Sequence, residues 1–173
     1  HRGSAFGGIG LGQPTNQKHF DSLLWEQLES VAGAPYVAVE AESKRIGKSV
    51  LPEFFSEAMN QGVHVLVESP LEDRIDRIYS EYAHSYEENP DAFIERALES
   101  LTAIKKHLIQ QLSKDGYQEV ISLCQSGEIK QVIEILLENY YDSLYQHSLA
   151  KYEEDFALTV NTHDLKQSCD QLL

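Results

Sequence analysis

Two short apolar runs constrain this chain most: VHVLVES at 63–69, and FALTVN at 156–161, in which Phe156, Leu158 and Val160 alternate. Branched apolar stretches of this length, bounded by turn signals, predict strands. A third run, YVAVEAE at 36–42, has the same character and ends in acids. Apolar strands separated by helical patterning point to a parallel sheet in an α/β fold, because parallel neighbours need a crossover between them.

Between the runs the apolar period becomes helical. Residues 16–31 place Phe20, Leu23, Leu24, Leu28 and Val31 on one face, with Thr15 or Asn16 as N-cap and Gly33-Ala34-Pro35 as the stop. LPEFFSEAMNQG at 51–62 predicts a short helix closed by Gly62. After Pro70, Leu71, Ile75, Ile78, Tyr79 and Tyr82 form a stripe. Asn89-Pro90 caps a helix with Ile94, Ala97, Leu98, Leu101, Ile104 and Leu108 inside. A short helix holds Cys124. The longest, from Glu128 towards Lys151, is expected to bury Ile129, Val132, Ile133, Leu136, Leu137, Tyr140 and Leu144. Asn161 and Asp164 start a final helix. The expected architecture is a single domain of about three parallel strands with a helical insertion before the last one. Residues 1–70 and 153–173 form its α/β portion, and 71–152 a lid-like helical portion.

The 173 residues carry a formal net charge of −14, which argues against an autonomous nucleic-acid binder, since phosphate contacts need clustered Lys and Arg. A local basic site stays compatible with that total. Cys124 and Cys169 lack metal-ligand spacing and fall on apolar stripes, so both are expected to be buried thiols. No apolar run approaches the length of a membrane span and no signal peptide is visible, so the expected location is cytoplasmic.

IGKS at 46–49 has the end of a phosphate-binding loop, but G-x-x-x-x-G-K-[ST] needs glycine where Glu42 stands, and a carboxylate there repels phosphate. G-x-G-x-x-G fails too: starting at Gly8 or Gly10, it ends on Gln13 or Thr15. Glu40 and Glu42 carry more chemistry. They close a predicted strand, and the carboxyl ends of strands in open α/β sheets face the ligand crevice. A carboxylate there can hold Mg²⁺, orient water or act as a base. Ser43, Lys44, Arg45 and Lys48 add a hydroxyl and positive charge suited to a diphosphate or an RNA phosphate. A structural ion-pair network is the equal alternative. Arg74 and Arg77 follow the second strand, where arginines can clamp phosphate, but alternation with Glu72, Asp73 and Asp76 favours i,i+4 surface pairs within the helix. The histidines His19, His64, His84, His107, His147 and His163 show no ligand spacing, and no metal site is expected.

HRGSAFG, EAESKRIGK, LPEFF and VLVESPLEDRIDRI, in this order, resemble the tRNA 2-selenouridine synthase family, in the part of its C-terminal P-loop domain that follows the Walker A motif. The resemblance is firm from His1 to about Tyr82. It implies a partial P-loop NTPase-like sheet, without the Walker A segment and the N-terminal rhodanese-like domain that the family carries. It implies a transferase of tRNA modification that geranylates the wobble 2-thiouridine with geranyl diphosphate and then replaces sulfur with selenium from selenophosphate, giving 2-selenouridine. Selenophosphate and geranyl diphosphate would be co-substrates, Mg²⁺ an admissible ion, and tRNA the partner of the full-length protein. It places His1, Arg2, Gly3, Ser4, Phe6 and Gly7 in a loop near the phosphate pocket. Glu40, Glu42, Ser43, Arg45 and Gly47 would form a second active-site segment, in which Glu40, Glu42 and Arg45 are the catalytic candidates. Ser43, Gly47 and Arg74 join the phosphate-binding set. The chain alone is expected to be inactive. Two alternatives are a small nucleotide or metabolite kinase-like domain and a non-enzymatic helical interaction module using the acidic C-terminal half.

Overall fold

Asn16 starts the first helix as its sequence asks: the side-chain oxygen accepts the His19 backbone N–H at 3.0 Å and satisfies a donor that has no partner inside the helix. In the computed structural model, residues 16–41, 44–83, 86, 89–149 and 156–172 are described. The chain divides into two compact units, residues 1–62 and 63–173.

The first unit holds α1 (Gln17–Ser30), a hairpin of β1 (Arg45–Ile46) and β2 (Ser49–Val50), and α2 (Glu53–Gln61). The strands pair antiparallel, Arg45 opposite Val50 and Ile46 opposite Ser49, so Gly47-Lys48 is a two-residue turn. Gly47 has φ +60° and is the first central residue, the position where a type II′ turn requires a positive φ. Gln17 ties the hairpin to α1. Its carboxamide accepts the Val50 N–H at 2.8 Å and donates to the Val50 carbonyl at 2.9 Å, completing the outer edge of β2 as another strand would.

The second unit pairs β3 (His64–Glu68) in parallel with β4 (Phe156–Asn161), from His64 opposite Phe156 to Glu68 opposite Asn161, with an irregularity after the first pair. Between them run α3 (Leu71–Ala83), α4 (Pro90–Ala103), α5 (Lys105–Gln125), α6 (Ile129–Leu136), a π-helical turn (Leu137–Tyr141) and α7 (Asp142–Leu149). The helix α8 (Leu165–Leu172) follows β4. Asn89 caps α4, accepting the Ala92 N–H at 3.3 Å, with Pro90 at the first helical position. The helices bury one continuous stripe: Phe93, Ala97 and Leu101 of α4, Leu108, Tyr117, Val120 and Cys124 of α5, and Ile129, Val132 and Leu136 of α6. Gly127, at φ +82°, ends α5 in a Schellman turn: the Glu128 N–H bonds the Leu123 carbonyl and the Gly127 N–H bonds that of Cys124.

The fold is α/β and mostly helical with a small parallel sheet, and helices do separate its strands. Several expectations need correction. Residues 36–41 have no ladder among the described residues, and Tyr36, Val37 and Val39 stay exposed, because apolar branching favours a strand only where a partner edge is available. The short antiparallel hairpin at 45–50 was not expected. The helix that should have run through Leu108 stops at Ala103, and Leu108 belongs to α5. Within α5, Ser113 has φ +73°, and its hydroxyl accepts the Gly116 N–H at 3.4 Å, so the helix restarts there. The long last helix of the insertion contains a π-turn, after which Leu144 faces solvent. Cys124 is buried as expected, but Cys169 is exposed. Burial pushes the Cys124 thiol up to about 11.

Candidate functional site

The sequence-predicted residues fall in three places. His1, Arg2, Gly3, Ser4, Phe6, Gly7, Glu42 and Ser43 lie outside the described residues. Glu40, Arg45 and Gly47 belong to the first unit: Glu40 is exposed, Arg45 opens β1 and Gly47 forms the turn. IGKS is thus a hairpin tip between antiparallel strands, with no helix following Ser49 directly to lend its N-terminus to a phosphate. Lys44, Arg45 and Lys48 are all exposed around this tip, whereas Ser49 is 1% exposed and its Oγ has no hydrogen-bond partner among the described residues. Arg74 belongs to the second unit, in the first turns of α3.

Three charged residues of α3, Arg74, Asp76 and Asp73, bond to other elements. Arg74 donates both terminal nitrogens to Asp142 of α7, Nη1 to Oδ2 at 3.0 Å and Nη2 to Oδ1. This fork-to-fork pair, chiefly through its hydrogen bonds, raises the guanidinium above its ordinary pKa. Lys130 of α6 donates to Asp76 at 2.6 Å and lies 5.3 Å from the centre of the Tyr79 ring. Asp73 takes the third bond: its Oδ2 is 2.8 Å from His163 Nδ1, across 90 positions of sequence. That hydrogen bond, and then the carboxylate's charge, raise the His163 pKa, with Asp164 adding a smaller push.

His163 sits where the topology brings two turns together. Because β3 and β4 are parallel and Glu68 is opposite Asn161, the turn from β3 into α3 and the turn from β4 into α8 leave the same edge of the sheet. The two are sewn together by short bonds. Thr162 donates its N–H and its hydroxyl to the Glu68 carbonyl, at 2.8 and 3.2 Å. The Asn161 side chain accepts the His163 N–H at 3.0 Å, and Asp164 caps α8 by accepting the Gln167 N–H at 3.0 Å. Ser168 Oγ is 2.6 Å from the Asn161 carbonyl. Ser69, in the β3–α3 turn, has a buried Oγ with no partner among the described residues. Sequence reasoning set His163 aside for want of ligand spacing. The usable signal was position: His163 follows one predicted strand and Asp73 the other, at the carboxyl ends where open α/β sheets bind ligands.

Among the described residues no group of three or more His, Cys, Asp or Glu side chains could hold a metal ion. No helix of the described residues is long and apolar enough to cross a membrane.

The family model described as the tRNA 2-selenouridine synthase AAA domain matches residues 1–172. The tRNA 2-selenouridine synthase of Shewanella woodyi is 34% identical over 174 residues, covering 89% of this chain and 47% of that protein. The synthase of Shewanella loihica is 33% identical over 170 residues, covering 87% and 45%, and that of Shewanella piezotolerans 35% over 174, covering 89% and 47%. The chain therefore spans about half the length of these curated relatives. No solved structure matches it.

Proposed function

The chain belongs to the tRNA 2-selenouridine synthase AAA-domain family, and on that premise we propose that it is the phosphate-handling part of a transferase that makes 2-selenouridine in tRNA. The full-length protein geranylates the wobble 2-thiouridine with geranyl diphosphate and then exchanges the sulfur for selenium from selenophosphate, in the cytoplasm. The family match along residues 1–172 carries this reading. The cations Lys44, Arg45 and Lys48 support it as a local basic tip on a chain of net charge −14. In this reading Glu40, Glu42 and Arg45 act at the reacting centre, and His1, Arg2, Gly3, Ser4, Phe6, Gly7, Ser43 and Gly47 hold phosphate. Mg²⁺ is an admissible ion in this reading, and no step is routed through it.

The test is single-turnover geranylation of a thiouridine tRNA by the full-length protein carrying this domain. Alanine at Glu40, Glu42 or Arg45 should lower turnover by about 10²-fold, the usual worth of a positioned acid–base or charge-stabilising group, with little change in melting temperature. Unchanged turnover in all three variants reduces them to surface charges. The 173-residue chain by itself should give no geranylated tRNA.

A further inference from the structure

We propose that His163, held by Asp73, is a catalytic base at the carboxyl edge of the β3–β4 pair, accepting through Nε2 the proton that the nucleophilic base of the substrate must lose.

Three features of the edge carry this. The Asp73 carboxylate occupies Nδ1 at 2.8 Å, which fixes the ring and leaves Nε2 as the nitrogen available to a ligand. His163 is 77% exposed at its side chain, so that nitrogen is reachable from solvent. The turn that presents it is built: Thr162, Asn161, Asp164 and Ser168 all spend their polar groups on the backbone of the same two turns. Among the described residues of this edge, the buried Ser69 hydroxyl of the neighbouring turn has no hydrogen-bond partner. The charged residues of the elements meeting here are Glu68 of β3, Glu72, Asp73, Arg74, Asp76, Arg77 and Glu81 of α3, and Asp164 at the cap of α8 with Lys166 and Asp170 inside it. Seven of these ten are acids and Arg74 is already bonded to Asp142, a setting that favours an imidazole gaining a proton.

The assignment rests on the function proposed above and names the step. In geranylation the thiouridine sulfur attacks the allylic carbon of geranyl diphosphate. A C–S bond forms, the C–O bond to diphosphate breaks, and diphosphate leaves with its electron pair. The thiocarbonyl becomes a thioether, and the ring nitrogen beside it gives up its proton to His163 Nε2. Asp73 stabilises the imidazolium and acts as a positioning residue.

The experiment uses the full-length protein carrying this domain, with H163Q and D73N, and follows geranylation against pH together with the imidazole titration by NMR. Wild type should lose activity as pH falls through the raised His163 pKa. H163Q should lose about 10²-fold in kcat, keep its KM for geranyl diphosphate and show no acid limb. D73N should lower the imidazole pKa and carry the acid limb to lower pH with it, which a merely structural bond would not do. Wild-type turnover and pH profile in H163Q, or an acid limb in D73N that ignores a moved imidazole pKa, overturns the assignment while leaving the proposed function standing. A wild-type protein inactive on thiouridine tRNA overturns both.

Discussion

The two units spend similar apolar sequence very differently. In the first, neither α1 nor α2 has a buried residue, Ser49 and Leu51 are the buried side chains among those described, and Trp25 is 60% exposed. In the second, α4, α5 and α6 turn apolar stripes towards one another, and Leu101, Leu108, Val120 and Cys124 are fully enclosed. An apolar period becomes stabilising only when a second apolar face meets it, and only the helical insertion supplies several such faces.

The largest expected contrast breaks or confirms this difference directly. Leu101→Ala should cost about 2–5 kcal/mol in urea unfolding, through lost burial plus the cavity left behind. Trp25→Ala in α1 should cost well under about 1 kcal/mol, as exposed substitutions do. Equal losses would mean that Trp25 is enclosed in solution.

The first unit should instead be sensitive at its hairpin. Gly47→Ala places a Cβ at φ +60°, with an expected cost of about 1–2 kcal/mol. Hydrogen exchange should show the Val50 amide, bonded to Gln17, losing protection. An unchanged Val50 amide would show that Gln17, rather than the turn, holds the hairpin.

The smallest effect is the pH dependence of the second unit. The folded pKa of His163 is raised above its unfolded value near 6.5, so its pairing stabilises fully below that pH and fades as pH rises through the folded value. Melting temperature should therefore fall slightly from pH 6 towards pH 8. D73N should flatten that slope, and a slope unchanged in D73N would assign it to other groups.

Much of the fold was legible because it is local. Asn16 and Asn89 cap the helices they were expected to cap, and Gly62 closes α2. The runs at 63–69 and 156–161 become β3 and β4, since branched apolar residues bounded by turns have few other uses. The hairpin was not legible: strands of two residues carry no period, and IGKS matched a failed phosphate loop more readily than a turn. Nor was the π-turn, since LENYY continues the helical stripe and only packing shows the extra residue. Cys169 kept its apolar spacing and still came out exposed, while its neighbour Ser168 is the buried residue.

The site divides along the same line. By itself the sequence determined the family blocks, the acidic total, the cluster of cations at 44–48 and the strands β3 and β4 with their following helices, all set by residues near one another in the chain. Only the tertiary structure decided that Arg74 is engaged by Asp142, 68 positions away, and that Asp73 meets His163 across 90. Those pairs exist because β3 and β4 lie parallel and end side by side, and because α3 packs on α6. Spacing along a chain carries no record of which distant turns a sheet will bring to one edge.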